Sequence, residues 1–372
     1  MARMCGIGGV VCWRADTRAD ASVARTLVRW LRHRGPDGEG TYVGRARGLA
    51  PGGAEARVAC AHTRLAVIDP RPVAQGPLAS DDGRILLLFN GEIYNHRSLR
   101  SGLERRGHRF RSRCDAEVVL RAYEEAGPAC VAWFEGMYAF AVLDRRRGRL
   151  VLARDPAGEK PLFVAQPPGG FVFASEIAAI VAAAHAAGLA LDRTLCRAWV
   201  PLQRALGFVP APHTLLRGVE SLRPGEVRLL EAGRLRVQRR LVFGRFAPAP
   251  FGESGPGADP AERAASRPRS VLVRLRRAVE RAVRARLESD VPLGGFLSGG
   301  IDSALVCALA RRALGRLETF TLGFDEPGWD ERAAAAATAR AIGAVHHDSR
   351  VGAEALERIE AIVLRHGAPF GD

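Results

Sequence analysis

The chain has 372 residues, 47% of them hydrophobic and 26% charged. At about 150 residues per domain, that length suits two domains with ordinary buried cores and excludes a small disulfide scaffold or wholesale disorder. The net charge of +15 raises the question of nucleic acid, but Lys160 is the only lysine among 55 basic residues. The arginines are spread over the whole chain rather than gathered into a stripe with stacking aromatics, a skew that fits GC-rich coding, so no nucleic-acid partner is expected.

Read from the amino end, residues 1–12 carry no cationic and apolar signal tract. Short apolar runs at 6–12, 58–68, 85–89, 139–143, 150–153 and 162–165, each bounded by turn residues, predict strands. Between them, 21–32 and 116–126 carry apolar residues at helical spacing, which gives a mixed α+β domain. The most apolar stretch, 171–191, is alanine-rich and broken by Ser175, Glu176 and His185. It predicts a buried helix, and no membrane partner is expected. Residues 244–269 are dense in Pro, Gly and Ser without an apolar period and predict a linker. A second domain then opens with Val271, Leu272, Leu275, Val279, Val283 and Leu287 on one helical face. A strand ending at Leu297, a helix at 304–313, a strand at 319–324 and a helix at 331–342 follow, which is the rhythm of a parallel α/β sheet. The seven cysteines are odd in number, with no C-x-x-C pair and no histidine at zinc spacing, so reduced thiols in a cytoplasmic setting and no metal site of protein ligands are expected.

The turn Ser298-Gly299-Gly300-Ile301-Asp302-Ser303 falls between a predicted strand and a predicted helix. Glycines let the backbone approach an anion, and a helix start offers free N–H groups and the positive end of its dipole. No Gly-Lys-Ser/Thr follows, so this is not a Walker A loop. The turn resembles the S-G-G-x-D-S loop of the ATP pyrophosphatases, which split ATP into AMP and pyrophosphate. The resemblance implies that Ser298, Gly299, Gly300 and Ser303 hold pyrophosphate, that Asp302 organises the magnesium-nucleotide site, and that Leu297 and Leu322 pack on adenosine. ATP with Mg2+ is then a substrate, and no prosthetic group is expected.

Cys5-Gly6-Ile7 says little alone, but an ordered series follows it. It comprises Arg32-His33-Arg34-Gly35-Pro36-Asp37, His62-Thr63-Arg64-Leu65-Ala66-Val67-Ile68-Asp69, Asn90-Gly91-Glu92-Ile93-Tyr94-Asn95, Asp115-Ala116-Glu117, Gly136-Met137-Tyr138-Ala139-Phe140 and Arg154-Asp155-Pro156-Ala157-Gly158-Glu159-Lys160-Pro161. Together these resemble the glutaminase domain of the asparagine synthetases, an N-terminal-nucleophile hydrolase. The resemblance implies an α-β-β-α sandwich over 5–222, a connecting segment over 223–269, and a truncated α/β ATP-pyrophosphatase domain over 270–372.

The residue types suit the chemistry. Hydrolysis of a side-chain amide needs a nucleophile, a base, an oxyanion site and a clamp for the amino-acid end. A cysteine at the mature terminus supplies two of these, because its thiol attacks and its own α-amine, titrating near about 8, moves the proton. By resemblance, Asn90 and the Gly91 N–H stabilise the oxyanion, Arg64 pairs with the glutamine α-carboxylate, and Glu92 with Asp115 receives the α-ammonium. Taken singly, Asn90-Gly91 also reads as a hairpin turn, and Arg64, Glu92 and Asp115 as surface ion pairs. Arg154-Asp155 and Arg34-Gly35-Pro36-Asp37 read as scaffold or interdomain contacts.

Some positions depart from the family pattern. Met1-Ala2-Arg3 precede Met4-Cys5, which places the expected start of translation at Met4, and Cys114 stands where a serine or threonine is usual. Gly367-Ala368-Pro369-Phe370-Gly371-Asp372 looks like the start of a motif that leads into a second ATP-contacting loop, so the chain is expected to be an incomplete synthetase. The activity implied is glutamine-dependent asparagine synthesis. Its partners are glutamine, aspartate and ATP, with a homodimer or a second chain supplying the missing half. Two alternatives stay open at this point: an amidotransferase for another carboxylate, and a non-catalytic glutamine-binding remnant.

Overall fold

The structure is a computed structural model and describes residues 4–241, 268–325, 328–352, 357 and 359–366. The chain divides into two compact units, the second spanning 254–361. In the first unit the elements run β1 (Gly6–Cys12), α1 (Ala21–Leu31), β2 (Gly38–Ala46), β3 (Ala56–Arg64), β4 (Leu78–Ala79), β5 (Ile85–Ile93), α2 (His96–Arg105) and α3 (Asp115–Ala126). Then come β6 (Gly136–Asp144), β7 (Arg149–Arg154), β8 (Phe163–Ala165), β9 (Gly170–Ala174), α4 (Ile177–Ala186), α5 (Val200–Leu206), β10 (Glu220–Ser221), β11 (Glu226–Glu231) and β12 (Arg234–Arg240).

The strands form two six-stranded sheets, ordered β10-β8-β9-β1-β3-β2 and β12-β11-β7-β6-β5-β4. Three apolar layers hold them. Ile7, Val11, Val58, Cys60, Leu86, Leu88, Ala139 and Ala141 fill the space between the sheets. Val10, Ala59 and Ala61 pack outward with α1 and α4, while Ile85, Leu87 and Phe89 pack outward with α2 and α3. This is the α-β-β-α sandwich expected of an N-terminal-nucleophile hydrolase.

Because strand side chains alternate between faces, the parity is fixed by these layers. On β3 and β5 the even-numbered residues point between the sheets, and on β1 and β6 the odd-numbered ones do. The same alternation carries Cys5, His62, Arg64, Asn90 and Met137 to the inter-sheet side at one end of the sandwich. The helix behind β1 starts where it does because Asp20 accepts from Ser22 N at 2.8 Å and Val23 N at 3.2 Å. That cap contributes on the order of 1 kcal/mol, and Val23, Leu27, Val28 and Leu31 then bury one face of α1.

Two expectations are corrected, and one alternative reading falls away. The apolar stretch at 171–191 is not one helix, because Gly170–Ala174 is a strand paired with β1 and the helix begins only at Ile177. Apolarity alone does not separate a short buried strand from the helix that follows it. The segment read as a connection from 223 contributes β11 and β12, which extend the second sheet beside β7. Asn90 and Gly91 lie inside β5, opposite Ala139 and Tyr138, and not in a hairpin turn. Of the Pro/Gly-rich run read as a linker over 244–269, residues 244–267 lie outside the described residues, as do those ahead of Met4 and after 366, while 268–269 belong to the next helix.

In the second unit α6 (Pro268–Ala285), β13 (Gly294–Phe296), α7 (Ile301–Leu314), β14 (Glu318–Phe324), α8 (Arg332–Ile342) and β15 (Val345–Val351) build a parallel sheet ordered β13-β14-β15. Leu297, Cys307, Ala310, Leu317, Ala335 and Ala339 form its core. The opposite face of β14 presents Phe320, Leu322 and Phe324 to solvent. The last described helix is α9 (Ile359–His366). All seven cysteines are free thiols. Among the described residues, no helix is long and apolar enough to cross a membrane.

Candidate active site

A cavity of about 210 Å³ opens at the end of the sandwich to which strand parity directs the polar side chains, and Cys5, Arg64, Asn90, Gly91, Glu92 and Asp115 all line it. Cys5 precedes β1 and is partly exposed. Leu65 N donates to its Sγ at 3.4 Å, and the thiol points back to Leu65 O at 3.8 Å. Burial pushes the thiol pKa up, against a smaller downward pull from the Leu65 main chain. Arg34 Nε donates to the Cys5 carbonyl at 3.1 Å. The same guanidinium pairs through Nη1 with Glu176 Oε1 at 3.0 Å. Ile7 N donates to Ser175 Oγ at 3.1 Å. Arg34 thus ties the Cys5 main chain to Glu176 at the start of α4.

Asn90 is 1% exposed, yet among the described residues neither Nδ2 nor Oδ1 has a hydrogen-bond partner. A buried amide left unpaired costs about 1–3 kcal/mol, so an orphan of this kind calls for an occupant. Gly91 follows because a Cβ there would lie 2.2 Å from Met137 O, so any side chain would push β5 off β6. Asp115, the first residue of α3, accepts from Ile93 N and Ala116 N at 2.9 Å each. Burial raises its carboxyl pKa above the ordinary aspartate value. Cys114 makes no capping bond to α3; its thiol instead donates to Asp115 Oδ1 at 3.4 Å.

Arg64 is not a surface residue. Its guanidinium donates to the carbonyls of Arg71 at 3.1 Å, Ile68 at 3.0 Å and Asp69 at 2.5 Å. These bonds fold the loop after β3 back over the cavity, where Leu65, Val67 and Ile68 become wall. Asp69, with a left-handed φ of 52°, completes that loop. Its carboxylate takes Arg71 at 2.6 Å and Arg113 N at 2.7 Å, and these contacts hold its pKa well below the usual carboxylate range.

Three lining residues, His62, Met137 and Lys160, stand in the quoted motifs but received no role from the sequence. Strand parity would have found the first two, and Lys160 was conspicuous as the only lysine. Lys160 is 6% exposed, its Nζ donates to Met4 Sδ at 2.9 Å, and burial pushes its pKa down.

In the second unit the glycine turn lies between β13 and α7. Ser298 and Ser303 hydroxyls are 2.8 Å apart, Gly300 N donates to Ser298 Oγ at 3.2 Å, and Gly299 N donates to the Glu331 carboxylate at 3.2 Å. Asp302 and Leu322 are exposed. Leu297, by contrast, is 2% exposed and its side chain sits in the core, so only its main chain remains for a ligand. Among the described residues, no group of three or more His, Cys, Asp or Glu side chains is placed to hold a metal ion.

The glutamine amidotransferase domain family matches residues 4–240, and the asparagine synthase family matches 274–372. The chain belongs to the glutamine amidotransferase domain family. A Mycobacterium tuberculosis (strain ATCC 25618 / H37Rv) protein, provisionally named an asparagine synthetase (glutamine-hydrolyzing), is 36% identical over 364 residues, covering 94% of this chain and 52% of its own length. Asparagine synthetase (glutamine-hydrolyzing) 1 of Bacillus subtilis (strain 168) is 30% identical over 373 residues, covering 99% of this chain and 54% of its own. The chain thus spans about half the length of these asparagine synthetase relatives. The solved B. subtilis glutamine phosphoribosylpyrophosphate amidotransferase complexed with ADP and GMP overlays with a TM-score of 0.45 at 17% identity, covering 92% of this chain and 65% of that one.

Proposed function

We propose that the first unit hydrolyses glutamine at Cys5 and that it serves glutamine-dependent asparagine synthesis. The observation that carries the reading is the buried, unpartnered Asn90 amide sharing one cavity with Cys5. The α-amine of Cys5, free when Cys5 is the first residue, takes the thiol proton as sulfur attacks the side-chain amide carbon. The oxygen becomes an oxyanion held by Asn90 Nδ2 and the Gly91 N–H. Collapse expels ammonia with that proton and leaves a thioester, which water cleaves to glutamate. Arg64 takes the α-carboxylate, while Glu92 and Asp115 take the α-ammonium.

The ammonia then passes internally to an aspartyl-adenylate formed with MgATP, releasing asparagine, AMP and pyrophosphate. Ser298, Gly299, Gly300 and Ser303 would hold the phosphates, Asp302 the magnesium, and the Leu297 main chain with the Leu322 side chain the adenosine. A carboxylate already resting on the Gly299 N–H supports the affinity of that turn for anions. Ligation requires the remaining half of the synthetase domain, supplied by further chain or by a partner. The functional parts proposed are the first unit from Cys5 through β12, and the synthetase part over 270–372.

Two measurements test the glutaminase. With Cys5 as the first residue, the protein should release glutamate and ammonia in equal amounts, and a glutamine analogue with an electrophile at the amide carbon should label Cys5. Ammonia without glutamate, or labelling elsewhere, would overturn the assignment.

A pH dependence also follows from Asp115. Its raised pKa means that the charge needed for the α-ammonium is lost at a higher pH than for an ordinary aspartate. In Cys5→Ala protein, glutamine Kd measured by calorimetry should be flat above that pKa and rise about tenfold per pH unit below it. A Kd that stays constant until ordinary aspartates protonate contradicts the role of Asp115.

A further inference from the structure

His62 lines the cavity but has no part in the chemistry above. It lies on β3, two residues before Arg64, and is 5% exposed. Its Nε2 is 2.9 Å from the carbonyl oxygen of Phe89, the residue before Asn90 on β5. Since β3 and β5 belong to different sheets, this bond crosses the sandwich at the level of the cavity. On the other side of the ring, Gln75 Nε2 lies 3.5 Å from Nδ1 and also donates to Gly76 O at 3.1 Å. Gly76 itself packs against the ring, for a Cβ there would lie 2.8 Å from Nδ1. A carbonyl only accepts, so the proton belongs on Nε2 and Nδ1 is left to accept from the Gln75 amide. Burial pushes the imidazole pKa down to about 4, which keeps the ring neutral at pH 7.

The place where this strut lands explains its use. β4 pairs with β5 only at Leu86 and Leu87, so its support on that flank ends before Phe89. Among the described residues the Asn90 amide has no hydrogen-bond partner to locate it, so its position is inherited from the backbone. A donor that meets a developing oxyanion has to be placed within about 0.5 Å, and a misplacement of about 1 Å costs on the order of 100-fold in rate. We propose that His62 is a positioning residue for glutamine hydrolysis: by holding the Phe89 carbonyl from the opposite sheet, it fixes the Asn90–Gly91 donor pair relative to Cys5. This rests on the glutaminase reading of the cavity.

The test uses the full chain with Cys5 as its first residue and three substitutions. His62→Phe keeps a ring of similar size without the donor. His62→Gln returns an N–H near the place of Nε2, while His62→Asn reaches only the place of Nδ1. Glutamate release by His62→Phe should show kcat lowered on the order of 10- to 100-fold with KM within about threefold of the parent. His62→Gln should recover most of the loss and His62→Asn should not. Parental kcat in His62→Phe overturns the inference, as does a raised KM at unchanged kcat, which would make His62 a wall for substrate. Should His62→Phe fail to fold, the Gln and Asn variants decide between themselves, and equal kcat in the two overturns it. No glutamate from the unsubstituted chain sinks the glutaminase reading, and this inference with it; an active parent with an indifferent His62→Phe sinks this inference alone.

Discussion

A chain that retains Met4 ahead of Cys5 should hydrolyse glutamine about 10²- to 10⁴-fold more slowly than one that begins at Cys5, the range expected for loss of a general base. Burial raises the Cys5 pKa, so at pH 7 the group is a thiol and not a thiolate. Its hydrogen-bonding neighbours at Leu65 are a main-chain N–H and a carbonyl oxygen, and neither accepts a proton at neutral pH. The α-amine is the base within reach, and acylation by Met4 turns it into an amide whose lone pair is delocalised. Met4 is also tied down, since its N–H donates to Arg34 O at 2.8 Å and its thioether meets the Lys160 ammonium. Comparing glutamate release by two preparations that differ only at this junction settles the matter. Equal turnover would show that some other group takes the proton.

The second large effect is at Asn90. Asn90→Ala should lower kcat for glutamine hydrolysis about 10²- to 10³-fold, as removal of one oxyanion donor does, with KM nearly unchanged because the oxyanion exists only beyond the ground state. Stability should move the other way or not at all. The amide is buried without partners, so its removal relieves a desolvation cost of about 1–3 kcal/mol and opposes the loss of packing. Urea titration of the parent and the variant gives the second half of the prediction. A variant that is both inactive and clearly destabilised would mean that Asn90 holds the strands together instead of serving the reaction.

These expectations draw unequally on sequence and structure. β1, β3, β5, β6 and β7 and the helices α1 and α3 were legible from apolar period, as was the β13-turn-α7 arrangement around Ser298. β2, with residues alternating between half-buried and exposed at the sheet edge, had no apolar run to betray it. β12, also at a sheet edge, was hidden because it carries four arginines and only two aliphatic residues, Leu235 and Val237. The split of 171–191 into strand and helix was invisible, since both parts are buried and apolar.

At the site, residue type and order by themselves pointed to the chemistry through a resemblance: a cysteine near the amino end, an Asn-Gly pair, an arginine and acidic residues placed at intervals that match one family. The tertiary structure alone decided what each side chain does. It turned Arg64 onto three loop carbonyls, left the Asn90 amide without a partner, buried the Leu297 side chain, and set His62 against a carbonyl 27 residues further on. The division has a physical cause. Alternation along a strand is local and fixes the face on which a residue lies, whereas the group it meets there belongs to another sheet and depends on how the two sheets pack.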